Sequence, residues 1–360
     1  MNVASHSSLT MSAPLDPPKR LRICLAASGG GHLQEMLDLR PFWELHDRFF
    51  VTEPTPIAES LAAGERVYLV PAIAAGHLRA RPLGTVIRSA VGNIRKSWRA
   101  ARAERPDVVI STGAGSVFFV VLFAKLFGAK YIHIEAFCRF ETPTIFGRLV
   151  HRFADARFVQ SEKLANVWPG VEVFDPFVRL PPSDKPKEDL GVVTVGTVLP
   201  FDRLVNGVAS LDPAAGRPTR IVAQVGDGGQ KPQGIDSSEN ITFEEMTDLL
   251  ERANVVFCHA GNGSLMTALQ AGCRIIAMPR RADLGEHWDD HQREILHAFA
   301  ARGVIEVAED ADDLQAALDR ALAKPAWRAR NDHTKLISRL RSLTKEWFDN
   351  RGQALPVSAV

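Results

Sequence analysis

The chain has 360 residues, 46% hydrophobic and 24% charged. That is ordinary globular composition and too long for one core, so two α/β domains are expected. A formal net charge of +1 excludes bulk electrostatic attraction to nucleic acid, and the four cysteines, Cys24, Cys138, Cys258 and Cys273, read as buried thiols of a reducing compartment.

Residues 1–20 are rich in Ser, Pro and Ala with no apolar h-region, so a disordered leader is expected, neither signal peptide nor membrane anchor. From 21 to 179, short β-rich runs at 21–27, 48–52, 67–70, 108–111, 130–134 and 157–160 alternate with helical patterns. The first run ends in Ser28-Gly29-Gly30-Gly31-His32. Glycines let the backbone approach a ligand, and a histidine at the mouth of such a turn is a candidate general base; the plainer alternative is a histidine that caps the next helix.

Between His77 and Pro106 lie Arg79, Arg81, Arg88, Arg95, Lys96, Arg99, Arg102 and Arg105 against Glu104 alone, with Val86, Ile87, Val91, Ile94 and Trp98 at helical spacing. This fits a basic amphipathic helix on an anionic membrane, or a surface helix whose apolar stripe enters the core. The apolar run 117–124 is far short of the roughly 20 residues a membrane span needs, and is expected to be a buried core helix.

Residues 180–190 carry three prolines and no apolar periodicity, a linker. From 191 to 324 strands are expected at 192–195, 220–224, 255–258, 274–278 and 304–307. Glycine turns follow at Gly196-Thr197, at Gly226, and at His259-Ala260-Gly261-Asn262-Gly263-Ser264, where a helix start can receive a phosphate. The loop from Pro279 to Gln292 gathers Arg280, Arg281, Glu286, Asp290, His291 and Gln292. His287 and His291 lack the glutamate of a zinc helix, so a sugar and nucleotide clamp is expected there and no metal. Asp310-Ala311-Asp312 reads as a helix cap. Residues 325–360 are expected to form a C-terminal helix and tail that pack back across the domains. Two doubly wound sheets would face a common cleft at their carboxyl ends.

In order along the chain, SGGGH, Ile134-Glu135-Ala136-Phe137-Cys138-Arg139 and the segment 154–160 resemble the acceptor-binding subunit of the enzyme that adds the second N-acetylglucosamine to dolichyl diphosphate. The VTVGT turn, Phe201-Asp202 and HAGNGS resemble its donor-binding partner, here on one chain. The segment PRR…GEHWDDHQ is most similar to bacterial exopolysaccharide glycosyltransferases of the PssD/PssE type. The resemblance implies an α/β GT-B fold, two Rossmann-like domains facing an interdomain cleft. It implies an inverting transferase that uses a UDP-sugar as co-substrate, without other cofactor, and a polyprenyl-diphosphate-linked glycan as acceptor. Partners would be an anionic membrane surface and other polysaccharide-assembly proteins, with the protein peripheral on the inner face of the cytoplasmic membrane.

On that basis UDP lies over Gly261, Asn262, Gly263 and Ser264 and the Gly196-Thr197 turn, with Asp290 and Gln292 on donor hydroxyls. Thr267 stands where relatives carry a ribose-binding glutamate. Gly30, Gly31 and Arg139 meet the acceptor, and His32 is the base, with Glu135 as rival base or orienting group. Arg280 and Arg281 could fork a uronate carboxylate, which favours glucuronate as donor sugar. The competing classes are a UDP-N-acetylglucosamine 2-epimerase and a non-catalytic subunit of a polysaccharide assembly.

Overall fold

The computed structural model describes residues 20–73, 82–196, 199–287 and 291–349, His291 by its backbone alone. The leader at 1–19, His77, Arg79, Arg81, Thr197, Asp290, the His291 side chain and residues 350–360 lie outside what is described.

The first half runs β1 (Arg22–Ala27), α1 (Gly31–Asp38), α2 (Arg40–Trp43), β2 (Asp47–Thr52), α3 (Pro56–Ala62), β3 (Val67–Leu69), α4 (Leu83–Glu104), β4 (Val108–Gly113), α5 (Phe118–Leu126), β5 (Lys130–Ile134), α6 (Ile145–Val150), β6 (Ala156–Val159), α7 (Glu162–Val167) and β7 (Glu172–Val173). The second runs β8 (Phe177–Leu180), β9 (Glu188–Thr194), α8 (Asp202–Ala209), β10 (Arg220–Gln224), β11 (Asp236–Ser238), α9 (Phe243–Arg252), β12 (Ala253–His259), α10 (Asn262–Ala271), β13 (Arg274–Met278), α11 (His291–Ala301), β14 (Glu306–Val307), α12 (Leu314–Leu322), β15 (Arg328–Asn331) and α13 (Thr334–Phe348).

Two parallel sheets result, ordered β3-β2-β1-β4-β5-β6-β7 and β11-β10-β9-β12-β13-β14. Their central strands, such as β1 with RICLAA and β4 with VVISTG, are buried almost throughout because helices cover both faces. In each sheet the chain winds outward from its first strand, then crosses back to the other side of that strand. The reversal falls between β1 and β4 in one sheet and between β9 and β12 in the other. Helices packed on the first sheet therefore split between its faces. Residues of α1, α2 and α13 share one core cluster, and residues of α4, α5 and α6 share the opposite one.

Four expectations need correction. The linker is shorter than 180–190, since β8 runs through Leu180 and β9 starts at Glu188. The short strands β7, β8, β11 and β15 have no alternating pattern long enough to read. The apolar run 117–124 is buried on one side only: Val117, Val120, Val121 and Ala124 are buried, while Phe118, Phe119, Leu122 and Phe123 are half-buried. The apolar stripe of α4 does not enter the core. Asn93, Ser97, Ala100, Ala101 and Glu104 face inward, while Leu83, Ile87 and Val91 are 75%, 55% and 59% exposed. The inward polar groups are satisfied: Asn93 donates to the carbonyls of Pro71 and Ser116 at 2.7 and 2.8 Å, and Ser97 donates to Asn93.

The chain crosses between domains twice, and the two crossings pair as the antiparallel strands β8 and β15. Helix α13 then returns to the first domain, where Leu336, Ile337, Leu340 and Leu343 join its core. Leu340 is fully buried, so Leu340→Ala should cost about 2–5 kcal/mol. Chemical denaturation should show that loss in the transition of the first domain.

Candidate active site

Four glycine turns close on the two reversal points. After β1, Gly30 begins α1 with no side-chain cap, and after β4 Ala114 begins a 3-10 turn over Gly115–Val117, also uncapped. After β9 comes Gly196, and after β12 Gly261 opens α10, again uncapped. Thr55, Thr144 and Thr242 cap α3, α6 and α9 with their hydroxyls, whereas α4, α7, α8 and α13 also start without a side-chain cap, so it is the glycines at the reversal points that set these four turns apart. An uncapped helix start leaves N–H groups free for an anion, and the reversal point of an open α/β sheet is where ligands sit.

The turn after β4 is a candidate site element that sequence reasoning missed. Gly113-Ala114-Gly115-Ser116 repeats the G-x-G-S of Gly261-Asn262-Gly263-Ser264 after an equally apolar strand, which is the signal that could have found it. Ala114 has φ 80° and ψ 147°, a region nearly reserved for glycine, so strain is stored beside the cleft.

His32 bridges the two first-domain turns. Its Nδ1 lies 2.9 Å from the Thr112 carbonyl, and Thr112 Oγ1 donates back to the His32 carbonyl at 2.8 Å. Nδ1 is therefore the protonated nitrogen, and Nε2 carries the lone pair. Burial lowers the His32 pKa, an effect partly offset by the Thr112 bond, so the imidazole is neutral near pH 7. One turn along, Glu35 accepts from the Phe137 amide at 3.1 Å and from Gln160, and burial pushes its carboxyl up to about 8.

Glu135 is fully buried. It accepts from the Ala136 amide and from both the amide and hydroxyl of Thr144, and its Oε2 lies 3.5 Å from His133 Nε2. Burial alone would raise its pKa, but His133 and Thr144 hold it below the usual carboxylate range. A carboxylate so enclosed has no face for a substrate proton; it shapes the loop after β5. Arg139 is half-buried in that loop, and its charge contributes to the lowering at His32.

In the second domain the His259 ring is wedged between two turns. A Cβ on Gly196 would lie 2.7 Å from its Cε1, and one on Gly261 would overlap its Nε2, so both positions require glycine. Burial pushes His259 down to about 4. It is a neutral spacer that sets the two turns at a fixed separation. Gly226 turns against Pro200, where a Cβ would lie 3.2 Å from Pro200 Cα, and so supports the turn after β9 rather than facing the cradle. At Gly263 nothing lies within 4 Å of a Cβ, which leaves that side of the α10 start open. Asn262 Oδ1 is buried there without a hydrogen-bond partner among the described residues. Thr267 donates to the Gly263 carbonyl at 2.9 Å.

The arginine fork is not made. Arg280 is 3% exposed and donates to the carbonyls of Val195, Leu199, Pro200 and Glu286, its guanidinium 4.7 Å from the Phe201 ring centroid. It builds the turn after β9 instead of meeting a ligand. Arg281 pairs with Asp283 and Asp310. Glu286 forms a two-pronged pair with Arg203 at 2.8 Å and accepts from the Arg281 amide, so it too is structural. Gln292 is buried, its Oε1 accepting from the Arg280 amide at 3.1 Å. Asp310 caps the turn at Ala311–Asp313.

Two Rossmann-like domains that turn their reversal points to a shared cleft define the GT-B glycosyltransferase fold. Within that class, residues 191–346 match the glycosyltransferase family 28 C-terminal domain, and residues 58–175 match the oligosaccharide biosynthesis protein Alg14-like family. The UDP-N-acetylglucosamine--N-acetylmuramyl-(pentapeptide) pyrophosphoryl-undecaprenol N-acetylglucosamine transferase of Syntrophus aciditrophicus (strain SB) is 24% identical over 238 residues, 58% of this chain and 62% of that one. The match thus spans about three fifths of the relative's length. MurG of Acinetobacter baumannii superposes with TM-score 0.57 at 16% identity over 91% of this chain and 99% of its own. The UDP-N-acetylglucosamine 2-epimerase of Rickettsia bellii does so with TM-score 0.61 at 14% identity over 92% and 98%.

Because its Cβ would meet only open space, Gly263→Ala should fold with an unchanged or slightly raised Tm. The added methyl would occupy the open space over the α10 start and crowd a diphosphate there, so binding of UDP, the probe, should weaken roughly tenfold or more by calorimetry.

Proposed function

We propose that this protein is an inverting glycosyltransferase that moves a sugar from a UDP-sugar to a saccharide on polyprenyl diphosphate. Its setting would be exopolysaccharide repeat-unit assembly at the inner face of the cytoplasmic membrane. The observation that carries the reading is the pairing, across two domains, of uncapped glycine turns with one histidine whose Nε2 has no hydrogen-bond partner among the described residues. UDP takes the second-domain turns, where the N–H groups of α10 stabilise the diphosphate as it leaves. The acceptor's diphosphate suits the turns after β1 and β4. His32 Nε2 removes the proton of the acceptor hydroxyl as its oxygen attacks the anomeric carbon and the bond to UDP breaks on the opposite face. An α-linked donor then gives a β-glycoside.

The favoured donor is UDP-N-acetylglucosamine. The aligned relative moves that sugar by name, and the Arg280 fork that favoured glucuronate is absent. A polyprenyl acceptor also needs the enzyme at a bilayer. Among the described residues no helix is long and apolar enough to cross a membrane. The outward stripe of Leu83, Ile87 and Val91, flanked by Arg88, Arg95 and Arg99, supports attachment to an anionic surface.

A transfer assay with a panel of UDP-sugars, glucuronate included, on a short polyprenyl-diphosphate glycoside should yield a β-linked product and free UDP. Release of a 2-epimer without transfer would replace this reading with the epimerase one. In that assay His32→Ala should lower kcat roughly 10²–10⁴-fold with UDP affinity unchanged. For the wild type, the acid limb of kcat/KM should fall below 6.5, since burial lowers the His32 pKa from that value.

Ile87→Glu with Val91→Glu should cut sedimentation with anionic vesicles roughly tenfold while leaving Tm unchanged, because both side chains lie on the exposed face.

A further inference from the structure

Six backbone amides of the loop after β5 are held by three glutamate side chains, one of the loop itself, one of α1 and one of α11. Glu135 takes those of Ala136 and Thr144, at 3.2 and 3.3 Å, and Glu35 of α1 takes that of Phe137. Glu294 of α11 takes Phe140 at 2.5 Å, Glu141, and Thr142 at 3.2 Å, and its other oxygen accepts from the Thr142 hydroxyl at 3.0 Å. The first two carboxylates belong to the first domain and the third to the second.

The same loop is packed across the divide. Phe137 and Phe140 lie in the core cluster of the second domain, against Phe299, and Arg302 stands 5.9 and 5.4 Å from their ring centroids. By covalent connection the loop is part of the first domain; by contact it is part of the second.

A continuous line of bonds follows. Arg280 holds the turn after β9, its amide donates to Gln292, and Gln292 lies two residues before Glu294 on α11. Glu294 holds amides 140–142, and the Phe137 amide returns to Glu35, one turn from His32. Bonds from backbone N–H groups to a carboxylate are directional and strong, so a shift of α11 cannot leave the loop behind.

We propose that Glu294 is a positioning residue that ties occupancy of the donor turn to the shape of the loop 136–144, and through it to the helix that carries His32. The inference rests on the proposed function for which ligand enters which domain.

The test uses the full chain with Glu294→Ala, Glu294→Gln and Thr142→Val. In the wild type, UDP should slow hydrogen exchange at amides 140–142. In Glu294→Ala these amides should exchange roughly tenfold faster, and UDP should no longer change them. UDP affinity should stay within about twofold and kcat within about threefold, while the acceptor KM rises roughly tenfold. Glu294→Gln, which keeps an acceptor oxygen, should restore most of the effect, and Thr142→Val, which removes one contact from the other side, should raise the acceptor KM about threefold. The inference is overturned if exchange at 140–142 in Glu294→Ala matches wild type, if UDP still alters it, or if UDP affinity and acceptor KM worsen together. If the wild type transfers nothing from any UDP-sugar, the proposed function fails, and the exchange response to UDP still decides the role of Glu294.

Discussion

An α-helix cannot satisfy its own first N–H groups, and this fold places that deficit at the mouths of both sheets. Each reversal point opens a crevice between neighbouring crossover connections, and the turns there are built from glycine with no side-chain cap. Much of the surrounding architecture serves to hold these turns still. Arg280 spends its guanidinium on four carbonyls around the turn after β9, His259 fixes the gap to the turn after β12, and Thr112 locks His32 to the turn after β4. Residues expected to bind ligand thus often bind backbone instead.

The same economy explains α4. A helix whose buried face is Asn93, Ser97 and Glu104 with only Ala100 and Ala101 beside them gains little from hydrophobic burial on that side. Its inward groups act as brackets, reaching Pro71, Ser116 and, through Tyr68 and Arg66, the edge of the sheet. The outward apolar stripe is then free to serve a different solvent.

Much of this was legible in the sequence. The two-sheet plan, most strand positions and the glycine turn that opens α10 follow from apolar runs broken by glycine, because a parallel strand buried on both faces must be apolar throughout. The direction of an arginine was not legible: Arg280 and Arg281 are adjacent and alike in sequence, yet one is buried among carbonyls and the other pairs with acids at the surface. Which face of α4 is buried was likewise hidden, since periodicity reveals a stripe but not what it faces. Glu35 and Glu294 escaped notice because single carboxylates on helices carry no motif; their partners are amides more than 100 residues away.

The return of α13 to the first domain bears on how the chain comes to be made. Leu336, Ile337, Leu340 and Leu343 complete a core begun by Leu21 and Ile23, so the first domain cannot close its hydrophobic interior until α13, made after the whole second Rossmann unit, has left the ribosome. The usual order of folding, first domain first, is thereby interrupted. The second Rossmann unit, whose chain lies between the two crossings although its core also takes Phe137 and Phe140 of the first domain, is made while its predecessor still waits for α13.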